Sequence, residues 1–412
     1  MCLTPRYQAV NSPFAGLRVL ELGSFIAVPF AAKLLADLGA DVLKVELPQG
    51  EIARDFGPFP GDTPDPEKSG LALYMSANKR SITLDYSTPT GNRLFRDLVR
   101  RSDVLLCDLQ APELAGLGLR YDDISGHNPA LIMTSVTPFG LTGPYSDFLG
   151  CDMLAFHATG TSDRYLGLAD REPLRAMWYL TDHWTGLNAA GATIAALLAR
   201  LRDGGGQHID ISASDCVASM INGYQPLSVY YDTGATSKRN GYTLTFTAPV
   251  GLFPCADGHV YLAALNPKQW DGLAKSMGNP EWASSPIFTG TAVDRMQYAD
   301  ELYALMRPWL KKYTKEELFA LCQGNGTPVT PAYTAADLNE NAHLAARGFF
   351  ETVDDPYAGR LKFPGAPYKM SASPWSLRNG PSRLGEHNVD VYCGALGLSR
   401  DDLVDLRRAG VV

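Results

Sequence analysis

The chain has 412 residues, 45 % of them hydrophobic and 19 % charged, which makes it a folded chain too long for one ordinary core and too apolar to be disordered. A formal charge of -8 argues against nucleic acid as the main partner, although a phosphate-bearing ligand needs only a local cluster of cations. Cys2, Cys107, Cys151, Cys216, Cys255, Cys322 and Cys393 are scattered with no CxxC, so a reducing, cytoplasmic setting and no metal site are expected. The N-terminus lacks a basic stretch followed by an apolar core, and the most apolar window is too short to span a bilayer; neither leader nor membrane segment is expected.

LRVLEL (Leu17–Leu22) reads as a strand, Pro29–Leu38 as a helix with proline in its first turn, and DVLKVEL (Asp41–Leu47) as a second strand. Strand, helix and strand make a βαβ unit. Glu46 then invites a dinucleotide reading, with an NAD-dependent oxidoreductase as the implied enzyme. The glycines argue against it, because the turn after the first strand is GSFIAVPF, with bulky side chains where a pyrophosphate must approach backbone. A loop at 48–70 carries Arg54, and NKRSITLD sets Lys79 and Arg80 before a strand. Such a pair is either a solvated charge pair or a phosphate clamp. A helix at Thr88–Arg101, a strand at Asp103–Leu109 and a strand in NPALIMTSVTPFG (Asn128–Gly140) continue the alternation. The fold expected is α/β: a doubly wound parallel-sheet large domain over residues 1–221. Its ligand belongs beyond the carboxyl ends of the strands, around Gly23–Val28, the stretch after Glu46, and Thr137–Pro144.

WYLTDHWTGLNAAGATIAALLARLRDGGGQ (Trp178–Gln207) reads as a long helix, with Leu187, Ala190, Ile194, Leu197, Leu198 and Leu201 as its buried face. Arg200 and Arg202 suit its end, and Gly204–Gly206 stop it. Asp182 stands at or near its N-terminus. It is there either an N-cap or a carboxylate nucleophile desolvated by Trp178, Tyr179 and Trp184. His157 is a candidate base without a partner at recognisable spacing. Residues 222–243 read as a linker and 244–335 as a small α+β domain opening on a hairpin at Asp257-Gly258. Residues 336–412 form a return segment too apolar to stand alone, which must dock on the large domain or on another subunit.

With these residues laid out, the chain resembles the family III CoA-transferases, the formyl-CoA and carnitine CoA-transferase group. The resemblance rests on LRVLELGSFIAVPFAAKLLADLGADVLKVELPQG, NKRSITLD, NPALIMTSVTPFGLTGP, the acid at Asp182 with its helix, RDGGGQHIDIS, CADGHVYLA and PSRLGEHNVDV, in order over nearly the whole chain. It implies two interlocked subunits, a homodimer, and an acyl-CoA and a carboxylic acid as substrates. It also implies no permanently bound cofactor, coenzyme A entering as part of the substrate. The attacking aspartate falls on Asp182. Phe25, Ile26 and Ala27 would wall the thiol end of CoA, with the Ala27 N–H as an oxyanion donor. Thr137 and Phe139 would line the same site. Lys79, Arg80 and Arg54 would meet the nucleotide phosphates.

The chain departs from the family pattern at several points. DLQAPE (Asp108–Glu113) replaces an Asn-Phe-Arg-Pro-Gly-like run, and Leu47 stands where a basic residue is common. Residues 239–250 lack the glycine-rich loop of formyl-CoA transferase. Phe156 replaces a usual glutamine, which points to a more apolar pocket. The rival on the same fold is a 2-methylacyl-CoA racemase, which needs a second acid/base group. Cys151 stands where the racemases carry histidine.

Overall fold

The computed structural model describes residues 12–221, 225–236, 239 and 247–412. The chain divides into two compact units. One comprises Met1–Thr161, Arg175–Thr236 and Ala346–Val412; the other comprises Ser162–Leu174 and Ser237–Ala345.

The first unit is built on six parallel strands: β1 (Arg18–Leu22), β2 (Asp41–Glu46), β3 (Arg80–Thr83), β4 (Val104–Cys107), β5 (Ile132–Thr137) and β6 (Gln207–Ser212). Their order is β3-β2-β1-β4-β5-β6, the doubly wound order, whose direction switches between β1 and β4. The alternation of side chains sorts neighbouring residues to opposite faces. Leu20, Leu43, Leu105 and Met133 enter one core, and Val19, Val42, Val104 and Ile132 enter the other. With both faces covered, β4 (VLLC) reads as an unbroken apolar run, while β1 and β2 hold Glu21 and Lys44 as a buried ion pair.

The helices α1 (Ala27–Asp37), α2 (Gly70–Ser76), α3 (Pro89–Arg100), α4 (Ala111–Leu117), α5 (Tyr121–Ser125), α6 (Asp152–His157), α7 (Thr161–Tyr165), α8 (Leu180–Asp203) and α9 (Ala213–Ile221) follow in chain order. The expected loop at 48–70 ends where α2 begins, capped by the Ser69 side chain.

α8 corrects the reading of its buried face. Ala190 and Leu197 are buried as expected and Ile194 packs against the same core, but the rest of that face is small residues, Thr181, Thr185, Gly186, Ala189, Thr193 and Ala196. Leu187, Leu198 and Leu201 are 46 %, 63 % and 84 % exposed. A face of threonine, alanine and glycine lets α8 approach α1 and β5 closely, and the bulkier leucines point away.

The tail from Ala346 belongs to the first unit. A hairpin, β10 (Phe350–Asp355) with β11 (Gly359–Pro364), precedes Val391, Tyr392, Leu403, Val411 and Val412, which join the core that holds Leu20. Asn78, in the left-handed region at φ 63°, accepts the N–H groups of Arg378 and Asn379 at 2.7 and 3.0 Å.

The second unit has its own antiparallel sheet, β7 (Val250–Pro254), β8 (His259–Ala263) and β9 (Val329–Pro331). Its core gathers Trp270, Phe288, Leu302 and Met306. Residues 222–224 and most of 237–246, within and beside the expected linker, lie outside the described residues, as does most of the stretch expected to lack a glycine-rich loop. The described part Gln225–Thr233 is helical. Among the described residues no helix is long and apolar enough to cross a membrane.

Candidate active site

A cleft of about 770 Å³ opens beyond the carboxyl ends of the strands, and every residue lining it belongs to the first unit. One wall is the turn from β1 into α1, which charged groups hold in place. The Ser24 N–H and hydroxyl donate to one carboxylate oxygen of Asp108 at 2.7 and 3.0 Å. The Phe25 N–H donates to Glu51 Oε2 at 2.9 Å, and Lys44 Nζ donates to the Gly23 carbonyl at 3.0 Å. Lys44 is itself buried between Glu21 and Glu51, at 2.9 and 3.2 Å.

Phe25 sits at φ 62°, where a β-carbon is strained, so the turn depends on these partners to hold it. Its ring meets Tyr179 edge-on at 4.7 Å and Phe56 at 4.9 Å. Tyr179 is also left-handed, at φ 47°, and it occupies the N-cap position of α8 without a side-chain cap bond. Phe25 and Tyr179 line the cleft, and Phe56 does not.

Asp182 is the third residue of α8 and lines the same cleft. Among the described residues no hydrogen-bond donor reaches its carboxylate. Burial pushes its pKa up to about 7, reinforced by the negative charges of Asp152 and then Asp108. Asp108 is likewise pushed by burial up to about 6, against the pull of its bonds to Ser24. A partly buried carboxylate with raised basicity and no donor holding it is poised to attack an electrophilic carbon. It is not its helix's N-cap.

Of the residues named from sequence, Phe25, Ile26, Ala27, Thr137 and Asp182 line one cleft. The Thr137 hydroxyl is buried and lacks a hydrogen-bond partner among the described residues. Arg54, Lys79, Arg80 and Phe139 do not line the cleft, and each cation already has a counter-ion. Arg54 is buried and clamps Glu46 through two bonds of 2.7 and 2.8 Å. Lys79 Nζ is buried against Glu21 Oε2 at 2.6 Å and the Pro29 carbonyl at 2.7 Å. Arg80 pairs with Asp41 at the surface. The Phe139 ring packs on Tyr145 at 5.9 Å.

Phe156, expected to make the pocket apolar, is buried in the fold rather than lining the cleft, and His157 does not line it either. Of the aromatic residues expected to exclude water, Tyr179 lines the cleft. Trp178 is exposed, and Trp184 donates to the Cys216 carbonyl. Cys151 lines the cleft with Asp182. Ser24 lies in the expected loop Gly23–Val28, whereas sequence reading did not single out Glu51, Asp108 and Asp152 as parts of the site. No lysine, arginine or histidine is among the described residues that line it.

The family model for CoA-transferase family III matches residues 14–388. The chain is 34 % identical to a succinyl-CoA–D-citramalate CoA-transferase of Chloroflexus aurantiacus, over 97 % of this chain and 98 % of that protein. It is 32 % identical to a formyl-CoA:oxalate CoA-transferase of Streptomyces avermitilis, over 96 % and 98 %. A crystal structure of a CAIB/BAIF family protein from Brucella suis superposes with a TM-score of 0.83 at 31 % identity, covering 93 % of this chain and 99 % of that one.

Proposed function

Because this chain belongs to CoA-transferase family III, we propose that it moves CoA from an acyl-CoA thioester to a free carboxylic acid, with Asp182 as the nucleophile. The observation that carries the reading is the state of Asp182: in the cleft, short of donors, and raised to about 7 by burial and by its acidic neighbours. Its carboxylate oxygen attacks the thioester carbonyl. The C–S bond breaks, the electron pair leaves with the CoA thiolate, and a mixed anhydride remains on Asp182. The thiolate returns to the aspartyl carbonyl, releases the first acid and leaves aspartyl-CoA; the acceptor acid then reverses the sequence. Thioester and anhydride are alike in activation, so no nucleotide is consumed.

Each tetrahedral intermediate needs donors for its oxyanion. The Ala27 N–H, at the start of α1, is the candidate, on the wall that Phe25 and Ile26 share. Tyr179 and Phe25 stand where water would otherwise reach the intermediates. A homodimer of interlocked subunits is part of the proposal, supported by the exposed leucines of α8.

The test is hydroxylamine trapping with acetyl-CoA, succinyl-CoA and benzoyl-CoA as donors. Trypsin releases Ala176–Arg200, in which Asp182 is the one acid. A hydroxamate there supports the aspartyl intermediate. The racemase reading keeps one observation in its favour, since Cys151 shares the cleft with Asp182. It requires solvent deuterium to enter the α-carbon of a 2-methylacyl-CoA while Asp182 stays unmodified.

A further inference from the structure

The carboxylate that caps α8 comes from another helix. The Asp182 N–H donates to Asp152 Oδ1 at 2.9 Å, and Asp152 is the first residue of α6. An acid in a helix's first turn ordinarily bends back onto the free N–H groups of that turn. In α8 that arrangement is absent: Tyr179 at the N-cap is left-handed and gives no side-chain cap, and Asp152 satisfies the donor from outside. We propose that Asp152 is a positioning residue for the nucleophile: it caps α8 in place of Asp182, leaving the Asp182 carboxylate free to face the cleft with a like charge beside it.

This inference rests on the reading of Asp182 as the nucleophile. It adds an account of how the acid is kept reactive. A hydrogen-bonded carboxylate is a stabilised, weaker nucleophile, whereas one beside a second anion is destabilised until it loses its charge. It loses that charge on acylation: the Asp182 oxygen binds the acyl carbon, the C–S bond breaks, and the negative charge leaves on the thiolate. The Asp152–Asp182 repulsion is relieved in that step.

The titratable groups that line the cleft with Asp182 are Cys151 and Asp152 at the start of α6, Asp108 just after β4, Glu46 at the end of β2, Glu113 on α4, and Glu51, Tyr86 and Tyr179. His183, on α8 itself, holds the Tyr179 carbonyl through Nδ1. On α1, Lys33 and Asp37 are paired with each other, and α9 carries Asp215 in its first turn. On β6, Asp210 is taken by the Leu141 N–H. Of these, Asp152 and then Asp108 act on Asp182, after burial.

Two variants separate the roles. Asp152→Asn keeps an oxygen to accept the N–H and removes the charge; Asp152→Ala removes both. Carbodiimide labels protonated carboxyl groups, so its pH dependence on the Ala176–Arg200 peptide reports Asp182 without any substrate. The expected result is that Asp152→Asn lowers the labelling midpoint by about half a unit to one unit, with the thermal midpoint nearly kept. Asp152→Ala additionally cuts hydroxamate formation by roughly 100-fold, since the nucleophile's turn is no longer fixed. A labelling midpoint in Asp152→Asn equal to the parent's overturns the inference. Asp182→Asn is run beside them: if it still yields transfer, the nucleophile reading fails and takes this inference with it. If it is inactive while Asp152→Asn titrates and reacts as the parent does, only this inference fails.

Discussion

A β-carbon placed on Gly186 would lie 2.5 Å from the Ala27 carbonyl oxygen and 3.2 Å from the Phe30 β-carbon. Gly186 is one turn beyond Asp182 on α8, and Ala27 opens α1. The missing side chain therefore sets the spacing between the helix of the proposed nucleophile and the proposed oxyanion donor. No flexible side-chain end is available to yield at 2.5 Å, because the nearer atom is backbone. Gly186→Ala should push α1 away from α8, at a cost of about 1–3 kcal/mol in stability. A shift approaching 1 Å at the reacting groups should lower turnover by roughly 100-fold. Denaturant unfolding and single-turnover transfer check the two effects; parental turnover would show that the spacing is not needed.

Asp182 gives a prediction whose sign is fixed by linkage. Burial, then Asp152 and Asp108, raise its folded pKa to about 7 from the ordinary carboxylate value of 3.8. Between those values the folded state binds a proton that the unfolded state has released, so stability falls as pH rises. The contribution is fully present below the unfolded value and is lost as pH passes about 7. Asp182→Asn, which cannot ionise, should therefore match the parent's thermal midpoint near pH 4 and exceed it at pH 8, while losing at least ~1,000-fold in transfer. In the proposed mechanism catalysis runs the other way, because it needs the ionised form: kcat/KM should drop on the acid side of about pH 7. Thermal scans across pH check the first claim, and a rate profile checks the second.

The Phe25 turn is held mainly from outside itself. Glu51 accepts the N–H of Phe25 and that of Ala53, both at 2.9 Å, and also faces Lys44 at 3.2 Å. Glu51→Ala leaves a left-handed phenylalanine without its anchor and a buried lysine short of one partner. The cost should be about 2–4 kcal/mol. Transfer should fall along with it, and acyl-CoA KM should rise as Phe25 leaves the wall. Urea unfolding with steady-state kinetics would test this, and an unchanged KM would remove Phe25 from the CoA-facing wall.

Lys79 and Arg80 are neighbours in sequence, but their environments differ. Lys79→Met would remove a cation with no solvent contact and leave the buried Glu21 carboxylate with Lys44 alone, for a loss of about 3–5 kcal/mol. Arg80→Ala breaks a surface pair with Asp41 and should cost below about 1 kcal/mol. Acyl-CoA KM should be unchanged in Arg80→Ala. A several-fold rise would return that guanidinium to the phosphates of CoA.

The same pair shows where the sequence was legible and where it was not. The strands β1 to β5 were visible because most are short, largely apolar runs between turn residues, and the alternation of Val19 with Leu20 or Val104 with Leu105 is local information. The sheet and the cleft beyond its strand ends followed from chain order. The fate of Lys79 did not, since Glu21 lies 58 positions away and meets it only through strand register. Asp152 was hidden for the same reason: a carboxylate capping a helix that begins 28 residues later leaves no local mark. α2, α4 and α5 were missed because helices of five to seven residues carry too little periodicity. On α8 the 3.6-residue period was read correctly, and Ala190 and Leu197 lie on the buried face as expected, but Leu187, Leu198 and Leu201 fall on the exposed side, and the rest of the packed face is threonine, alanine and glycine.

Those leucines carry the last prediction. Leu198 and Leu201 are 63 % and 84 % exposed on a helix whose other face is packed, and Leu187, nearer the site, is 46 % exposed. A leucine left in water forgoes roughly 1.5–3 kcal/mol of burial, so three on one helix favour a covering surface. If that surface is a second, interlocked copy, separation requires unfolding, and dilution alone should not release monomer. Native mass spectra should show the dimer down to nanomolar concentration. Leu198→Asp with Leu201→Asp should then produce either a monomer or misfolded chain, because charges would replace the covered leucines. A parent that runs as a folded monomer at micromolar concentration would rule out the interlocked dimer and leave the leucines as an open surface.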